Sequence, residues 1–142
     1  MLFRSRDEML RRAHAALEEA RVDGVDRFDV PPRGAAGEEA EAAALRPGVE
    51  GREVEAIGRR IVERAGLGDL FLYSGVHSVG VIEFEPPIFG PSSSAVILPG
   101  MIISVDIPLF NAPWGGLRIE DGYLITATGA ERLHRTPFWV RR

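Results

Sequence analysis

Three side chains scattered along the chain have the types needed to hold a divalent cation: His77, Asp106 and Glu120. His77 lies in Tyr73-Ser74-Gly75-Val76-His77-Ser78-Val79-Gly80, where small residues on both sides let backbone or a ligand approach closely. Asp106 follows Met101-Ile102-Ile103-Ser104-Val105, a run expected to form a central strand, where Asp is depleted. Glu120 and Asp121 end the run Gly115-Gly116-Leu117-Arg118-Ile119. A carboxylate buried among apolar strands is costly unless it is paired, hydrogen-bonded or bound to a metal. Asp106 therefore has two readings, a structural ion pair with Arg118 or a metal ligand. One imidazole and two carboxylates make a hard, oxygen-rich donor set, better suited to Mn²⁺, Fe²⁺, Co²⁺ or Zn²⁺ than to a soft metal. Their order and separation are not diagnostic, and only sheet topology could bring them together. His14, among Arg and Ala in an amphipathic stretch, and His134, between Leu133 and Arg135, read as solvated surface residues.

The elements that must position these groups change character along the chain. From Arg6 to Arg21, Met9, Leu10, Ala13, Leu17 and Ala20 follow helical spacing. The pattern breaks between Asp23 and Gly37, and Pro31-Pro32-Arg33-Gly34 predicts a loop. Glu38 to Leu45 is rich in Ala and Glu, good helix formers, and Pro47-Gly48 ends it. A third helix is expected over Arg52–Ala65, with Val54, Ile57 and Ile61 on one face and Gly66 as its C-terminal cap. Beyond Gly68 the short runs Phe71–Tyr73, Val79–Phe84, Ile102–Ile107, Leu117–Ile119 and Tyr123–Thr126 read as strands separated by Pro and Gly. Helices followed by a series of strands predict an α+β domain with a mainly antiparallel sheet and helices on one face.

Composition narrows the partners. The 142 residues suit one domain with a real core, and 45% apolar with 27% charged residues is ordinary for a globular protein. A net charge of −4 recommends no nucleic-acid role. The longest apolar runs, Ala95-Val96-Ile97-Leu98 and Met101-Ile102-Ile103, are too short to span a bilayer, and the N-terminus, charged at Arg4, Arg6, Asp7 and Glu8, is not a signal peptide. A cytoplasmic protein is the expectation. The chain has no cysteine, which leaves His, Asp and Glu as its ligand chemistry.

Four motifs in order carry a family resemblance: Leu45-Arg46-Pro47-Gly48-Val49 with Arg52-Glu53-Val54; Val76-His77-Ser78-Val79-Gly80 with Glu85-Pro86-Pro87; Leu98-Pro99-Gly100-Met101-Ile102 through Asp106; and Gly115-Gly116-Leu117-Arg118-Ile119-Glu120-Asp121. Over residues 44–133 the chain resembles the C-terminal half of the pita-bread hydrolase domain, the superfamily of aminopeptidase P, prolidase, creatinase and methionine aminopeptidase. The first three are its nearest branch. The resemblance implies a partial pita-bread α+β fold, with helices packed on a curved, mainly antiparallel sheet. It implies a metal-dependent hydrolase of Xaa-Pro aminopeptidase, prolidase or creatinase type, activating a metal-bound water to cleave a peptide or related C–N bond. The metal centre would be dinuclear in the complete protein and filled by Mn, Co, Zn or Fe. His77 would bind one metal and Glu120 would bridge both. Asp106 would stand where the family has a Glu that binds metal and handles the proton of the attacking water, so that Asp106 and Glu120 are the catalytic pair. Arg118 would orient carboxylates, with Phe84 and Glu85 in the segment that meets substrate.

The sequence departs from the family pattern in three places. Two further aspartate ligands, carried by the family on an upstream hairpin, have no counterpart in Asp23, Asp26 and Asp29. Met1–Ser5 reads as a non-native leader ahead of a partial catalytic domain over residues 6–142, and the missing aspartates are expected upstream in a longer gene. Asp106 is one methylene shorter than the family's Glu, and misplacement of about 1 Å can slow catalysis severely. Phe84 replaces a substrate-contacting His and cannot hydrogen-bond a carbonyl. The expected partners are a peptide or small-molecule substrate and a second copy of the chain in a homodimer, without nucleic acid or membrane. An alternative is a pita-bread scaffold that binds without catalysis. Conversion of one ligand to another carboxylate, rather than its loss, favours a retained metal. Phe89, Phe110, Pro113 and Trp114 are candidates for a pocket wall or for ordinary packing. Phe138 and Trp139 could cover the core or a partner.

Overall fold

The computed structural model describes residues 30–112 and 115–135. Within them lie helices α1 (Val30–Ala44) and α2 (Gly51–Arg64), a 3₁₀ turn (Gly68–Leu70) and strands β1 (Val76–Ser78), β2 (Glu85–Ile88), β3 (Ile102–Ala112), β4 (Gly115–Ile125) and β5 (Ala130–Arg132). The strands form one sheet in the order β2-β1-β3-β4-β5, and every neighbouring pair is antiparallel. The expected α+β architecture is therefore present. The predicted helix over Arg6–Arg21, together with Met1–Ser5, His14, Pro113, Trp114, Phe138 and Trp139, lies outside the described residues. Among the described residues no helix is long and apolar enough to cross a membrane.

Several boundaries differ from expectation. Helix α1 begins at Val30, inside the stretch predicted to be a loop. Proline is tolerated in a first helical turn because the N–H it lacks has no intrahelical acceptor there. Helix α2 closes as predicted: Gly66 takes φ 75°, its N–H donates to Glu63 O (2.9 Å), and the Leu67 N–H donates to Val62 O (3.0 Å). Its buried face is rotated from the predicted one. Gly51, Val54, Glu55, Gly58 and Val62 point inward, while Ile57 and Ile61 are half-buried. Two glycines set that rotation: a Cβ on Gly37 would sit only 3.7 Å from Gly58 Cα, so α1 and α2 cross in close contact.

Phe71 makes only a single bridge to Leu109. The predicted strand Val79–Phe84 is the turn between β1 and β2, with Val81 98% exposed. Apolar residues there had suggested a strand, but the ladder ends at Ser78 and resumes at Glu85. Proline is compatible with β2 because β2 is an edge strand. Leu117–Ile119 and Tyr123–Thr126, predicted separately, merge into β4 through Glu120-Asp121-Gly122.

The core lies between the helices and one sheet face, where Val54, Val76, Phe89, Ile103, Val105 and Ile125 pack in one cluster and Val62, Phe71, Ile107 and Leu109 in another. Phe89 is thus core, its ring filling the space left by Gly51. Three glutamates share this interior. Glu38 accepts a hydrogen bond from Tyr123 O–H, and Glu55 pairs with Arg59. The Glu41 carboxylate has no side-chain hydrogen-bond partner, and the Gly58 backbone beside it only partly favours its charged form. Burial, and next the charge of Glu55, push the Glu41 carboxyl well above the usual carboxylate range. Glu38 and Asp106 add to that push from α1 and β3.

A carboxyl with a raised folded pKa contributes stability at low pH and loses it as pH rises through that pKa. Urea unfolding between pH 5 and 8 is expected to show Glu41→Met gaining on the wild type as pH rises, by about 1 kcal/mol or more at the alkaline end. Parallel curves would remove Glu41 from this account.

Candidate metal centre

The site is built by strand register. β1 pairs with β3 so that His77 faces Ser104, and β3 pairs with β4 so that Asp106 faces Glu120 and Pro108 faces Arg118. Directly paired residues, and alternate residues along a strand, share one sheet face. His77, Ser104, Asp106, Arg118 and Glu120 therefore project together from the face opposite the helices. Glu120 and Asp121, adjacent in sequence, part to opposite faces. Asp121 pairs with Arg132 and His134, the latter half-exposed as expected of a surface histidine.

Each donor is oriented by a neighbour. The fully buried His77 ring places Nδ1 3.1 Å from Ser78 O. A carbonyl only accepts, so Nδ1 carries a proton, and in the neutral ring Nε2 keeps the lone pair a metal would use. Nε2 has no hydrogen-bond partner, and Glu120 Oε1, at 4.0 Å, is too far to be one. Asp106 Oδ2 accepts from Arg118 Nε at 2.9 Å and from Tyr73 O–H at 3.4 Å, while Oδ1 is buried without a partner. Glu120 Oε1 accepts from Ser104 O–H at 2.6 Å, and Oε2 lies 2.9 Å from Arg118 Nη2. Arg118 Nη2 also reaches Glu83 at 2.7 Å, so one guanidinium serves three carboxylates. Burial raises the Asp106 pKa to about 7; Arg118 opposes the rise and the Glu120 charge adds to it.

Ligand atoms of His77, Asp106 and Glu120 lie within 4.8 Å of one another. Ligands on one divalent ion stand about 3–4 Å apart, given bonds of about 2 Å. The donor set fits such an ion: an imidazole lone pair, two carboxylates and two buried atoms left unpaired. The ion-pair and ligand readings of Asp106 prove compatible, because each uses a different oxygen. Phe84 packs against His77 with ring centroids 4.1 Å apart and planes tilted by 47°, and the Phe110 ring lies 6.1 Å from that of Tyr73. The Glu85 carboxylate instead lies against Gly80 in the β1–β2 turn.

Tyr73, Glu83 and Ser104 escaped the sequence reading. Ser104 was discoverable, since it stands two residues before Asp106 and so shares its face. Tyr73 and Glu83 come from irregular segments, where no periodicity announces direction.

An antiparallel sheet with helices on one face and a His-Asp-Glu cluster on the other has its match among pita-bread folds. The prolidase of Pyrococcus horikoshii OT3 superposes with a TM-score of 0.74 at 29% identity, covering 78% of this chain and 32% of that one. The prolidase from Pyrococcus furiosus gives a TM-score of 0.74 at 29% identity over 84% of this chain and 35% of its own. The model of metallopeptidase family M24 matches residues 34–127, and the chain belongs to that family. In sequence, the Xaa-Pro dipeptidase of Pyrococcus furiosus is 38% identical over 93 residues, 66% of this chain and 27% of that protein. The chain spans about a quarter of the length of the curated relatives it matches.

Gly75 shows how tightly β3 is held beside the site. Its carbonyl accepts from Asp106 N–H (2.8 Å), and a Cβ at Gly75 would fall 1.6 Å from Asp106 O. Gly75→Ala must therefore separate two backbones. Chemical denaturation should register a loss of about 1–3 kcal/mol, the usual range for overpacking.

Proposed function

We propose that the protein containing this chain is a cytoplasmic metal-dependent hydrolase of the Xaa-Pro dipeptidase type, cleaving a peptide or a related C–N bond. The observation that carries the reading is the pair of buried, unpartnered ligand atoms, His77 Nε2 and Asp106 Oδ1, in one cluster with Glu120. Membership of family M24 and likeness to named dipeptidases support it.

In this reading His77, Asp106 and Glu120 hold a divalent cation, Mn²⁺, Co²⁺, Zn²⁺ or Fe²⁺, as half of a dinuclear centre whose other ligands lie elsewhere in the complete protein. The cation supplies Lewis acidity, acidifying water and polarising a substrate carbonyl. The chain's own residues do the rest. Arg118 fixes Asp106 and Glu120 through separate nitrogens, leaving Asp106 Oδ1 free. Burial raises the Asp106 carboxyl of the metal-free chain to about 7, so a cation binding there would displace its proton near neutral pH. Glu120, held at both oxygens by Ser104 and Arg118, keeps a fixed direction. Phe84 seals one side of His77 against water. Retention of all three ligand types weighs against a scaffold without catalysis.

Metal content after loading with Mn²⁺ or Co²⁺ and desalting tests the reading. About one ion per chain is expected, lost in Glu120→Ala and in His77→Ala. Arg118→Ala should keep the ligands but weaken metal affinity about 10–100-fold, as loss of a ligand-orienting group does. A wild-type chain that retains no metal, while remaining folded, overturns the assignment of these residues.

A further inference from the structure

Glu83 stands in the turn between β1 and β2, and its side chain is 65% exposed. Its carboxylate nevertheless reaches Arg118 on β4, where Oε1 accepts a hydrogen bond from Nη2 at 2.7 Å. An ion pair this exposed adds little to folding stability. Its effect on the guanidinium is the larger matter. Arg118 Nε donates to Asp106 Oδ2 at 2.9 Å. Glu120 Oε2 lies 2.9 Å from the same Nη2 that serves Glu83, as an ion pair without a hydrogen bond.

A guanidinium is a rigid planar fork, so a partner at one edge sets the direction of the others. With Nη2 turned to Glu83, Glu120 feels the charge of Arg118 while the lone pairs of Oε2 stay open. Oε1 already accepts from Ser104. Without Glu83, Glu120 Oε2 is the acceptor left to that nitrogen, and a hydrogen bond there would compete with a cation for the same electrons. Charge points the same way. Asp106 and Glu120 less Arg118 leave a single negative charge to meet a divalent ion, and Glu83 supplies a second. Glu83 also shares its short turn with Phe84, which packs against His77.

We propose that Glu83 is a positioning residue for the metal centre, acting through Arg118. It holds the Nη2 hydrogen bond away from Glu120, so that Oε2 remains a ligand atom, and it offsets the positive charge that Arg118 brings beside the cation. The inference rests on the metal reading above, and it assigns Glu83 no contact with the ion.

Co²⁺ titration of the 142-residue chain, followed by the visible ligand-field band, tests it. Glu83→Ala, at an exposed turn position, is expected to weaken Co²⁺ binding about tenfold, the low end for loss of a ligand-orienting partner. The band should shift as Glu120 turns towards Arg118. Glu83→Gln returns an acceptor without the charge and should recover part of the loss. In an Arg118→Ala background, Glu83→Ala should change affinity by less than about twofold, because the group it acts through is gone. Wild-type affinity and band in Glu83→Ala, or an equal loss in the Arg118→Ala background, overturns the inference. The metal-free chain gives a reading independent of the ion, since the Arg118 Nε–H resonance should move in Glu83→Ala. If the wild type takes up no Co²⁺ but that resonance moves, the metal assignment fails and the positioning of Arg118 by Glu83 stands. If it does not move, both fall.

Discussion

Asp106 places a carboxylate with no solvent exposure in the middle of the central strand of the sheet. Removing such a charge from water costs several kcal/mol unless partners replace the hydration it loses. Arg118 supplies that replacement for one oxygen, and the pairing is possible because β4 runs antiparallel to β3 with Pro108 opposite Arg118. The same register sets Glu120 opposite Asp106, within reach of the same guanidinium. Once β3 and β4 pair in this register, the charge balance of the site and the direction of each ligand follow. Gly75 allows β1 to approach closely enough to add His77.

The two faces of the sheet treat buried carboxyls differently. On the helix face, Glu41 has neither a cation nor a side-chain hydrogen bond, and its burial favours the protonated form. On the opposite face, Asp106 has a cation at one oxygen and a vacant lone pair at the other. A buried acid with so few partners costs stability even when neutral, and costs more once it ionises. A carboxylate half-satisfied by arginine and half open toward an imidazole is suited to hold a ligand. Geometry, more than burial, separates the two carboxyls.

The departures from the family pattern acquire physical meaning in this setting. Replacing the family's Glu by Asp106 withdraws the carboxylate by one methylene, yet its free oxygen still reaches the cluster with His77 and Glu120. Phe84, where the family pattern has a histidine, meets Tyr73 edge to face, and Tyr73 in turn lies beside Phe110. The chain covers about a third of the solved prolidases it resembles.

Much of this was readable in the residues themselves. Glycine after Ala65 marked the end of α2, because only a residue free to take positive φ closes that turn cheaply. The α+β order followed from the change of periodicity near Gly68, and Asp106 stood out because an acid in an apolar strand demands a reason. The Val79–Phe84 run was misjudged, since apolar composition cannot distinguish a strand from a turn whose side chains stay exposed. The predicted face of α2 held at Val54 but not at Ile57 and Ile61, because Gly37 and Gly58 are invisible to a hydrophobic pattern yet decide where helices touch. Sequence alone determined which groups could bind a metal, since that depends on side-chain chemistry. Only the tertiary structure decided that they meet, that Arg118 takes one oxygen of Asp106 and spares the other, and that Tyr73 and Glu83 belong to the site. Those outcomes depend on strand register and on the paths of irregular segments, which long-range pairing sets and local sequence does not encode.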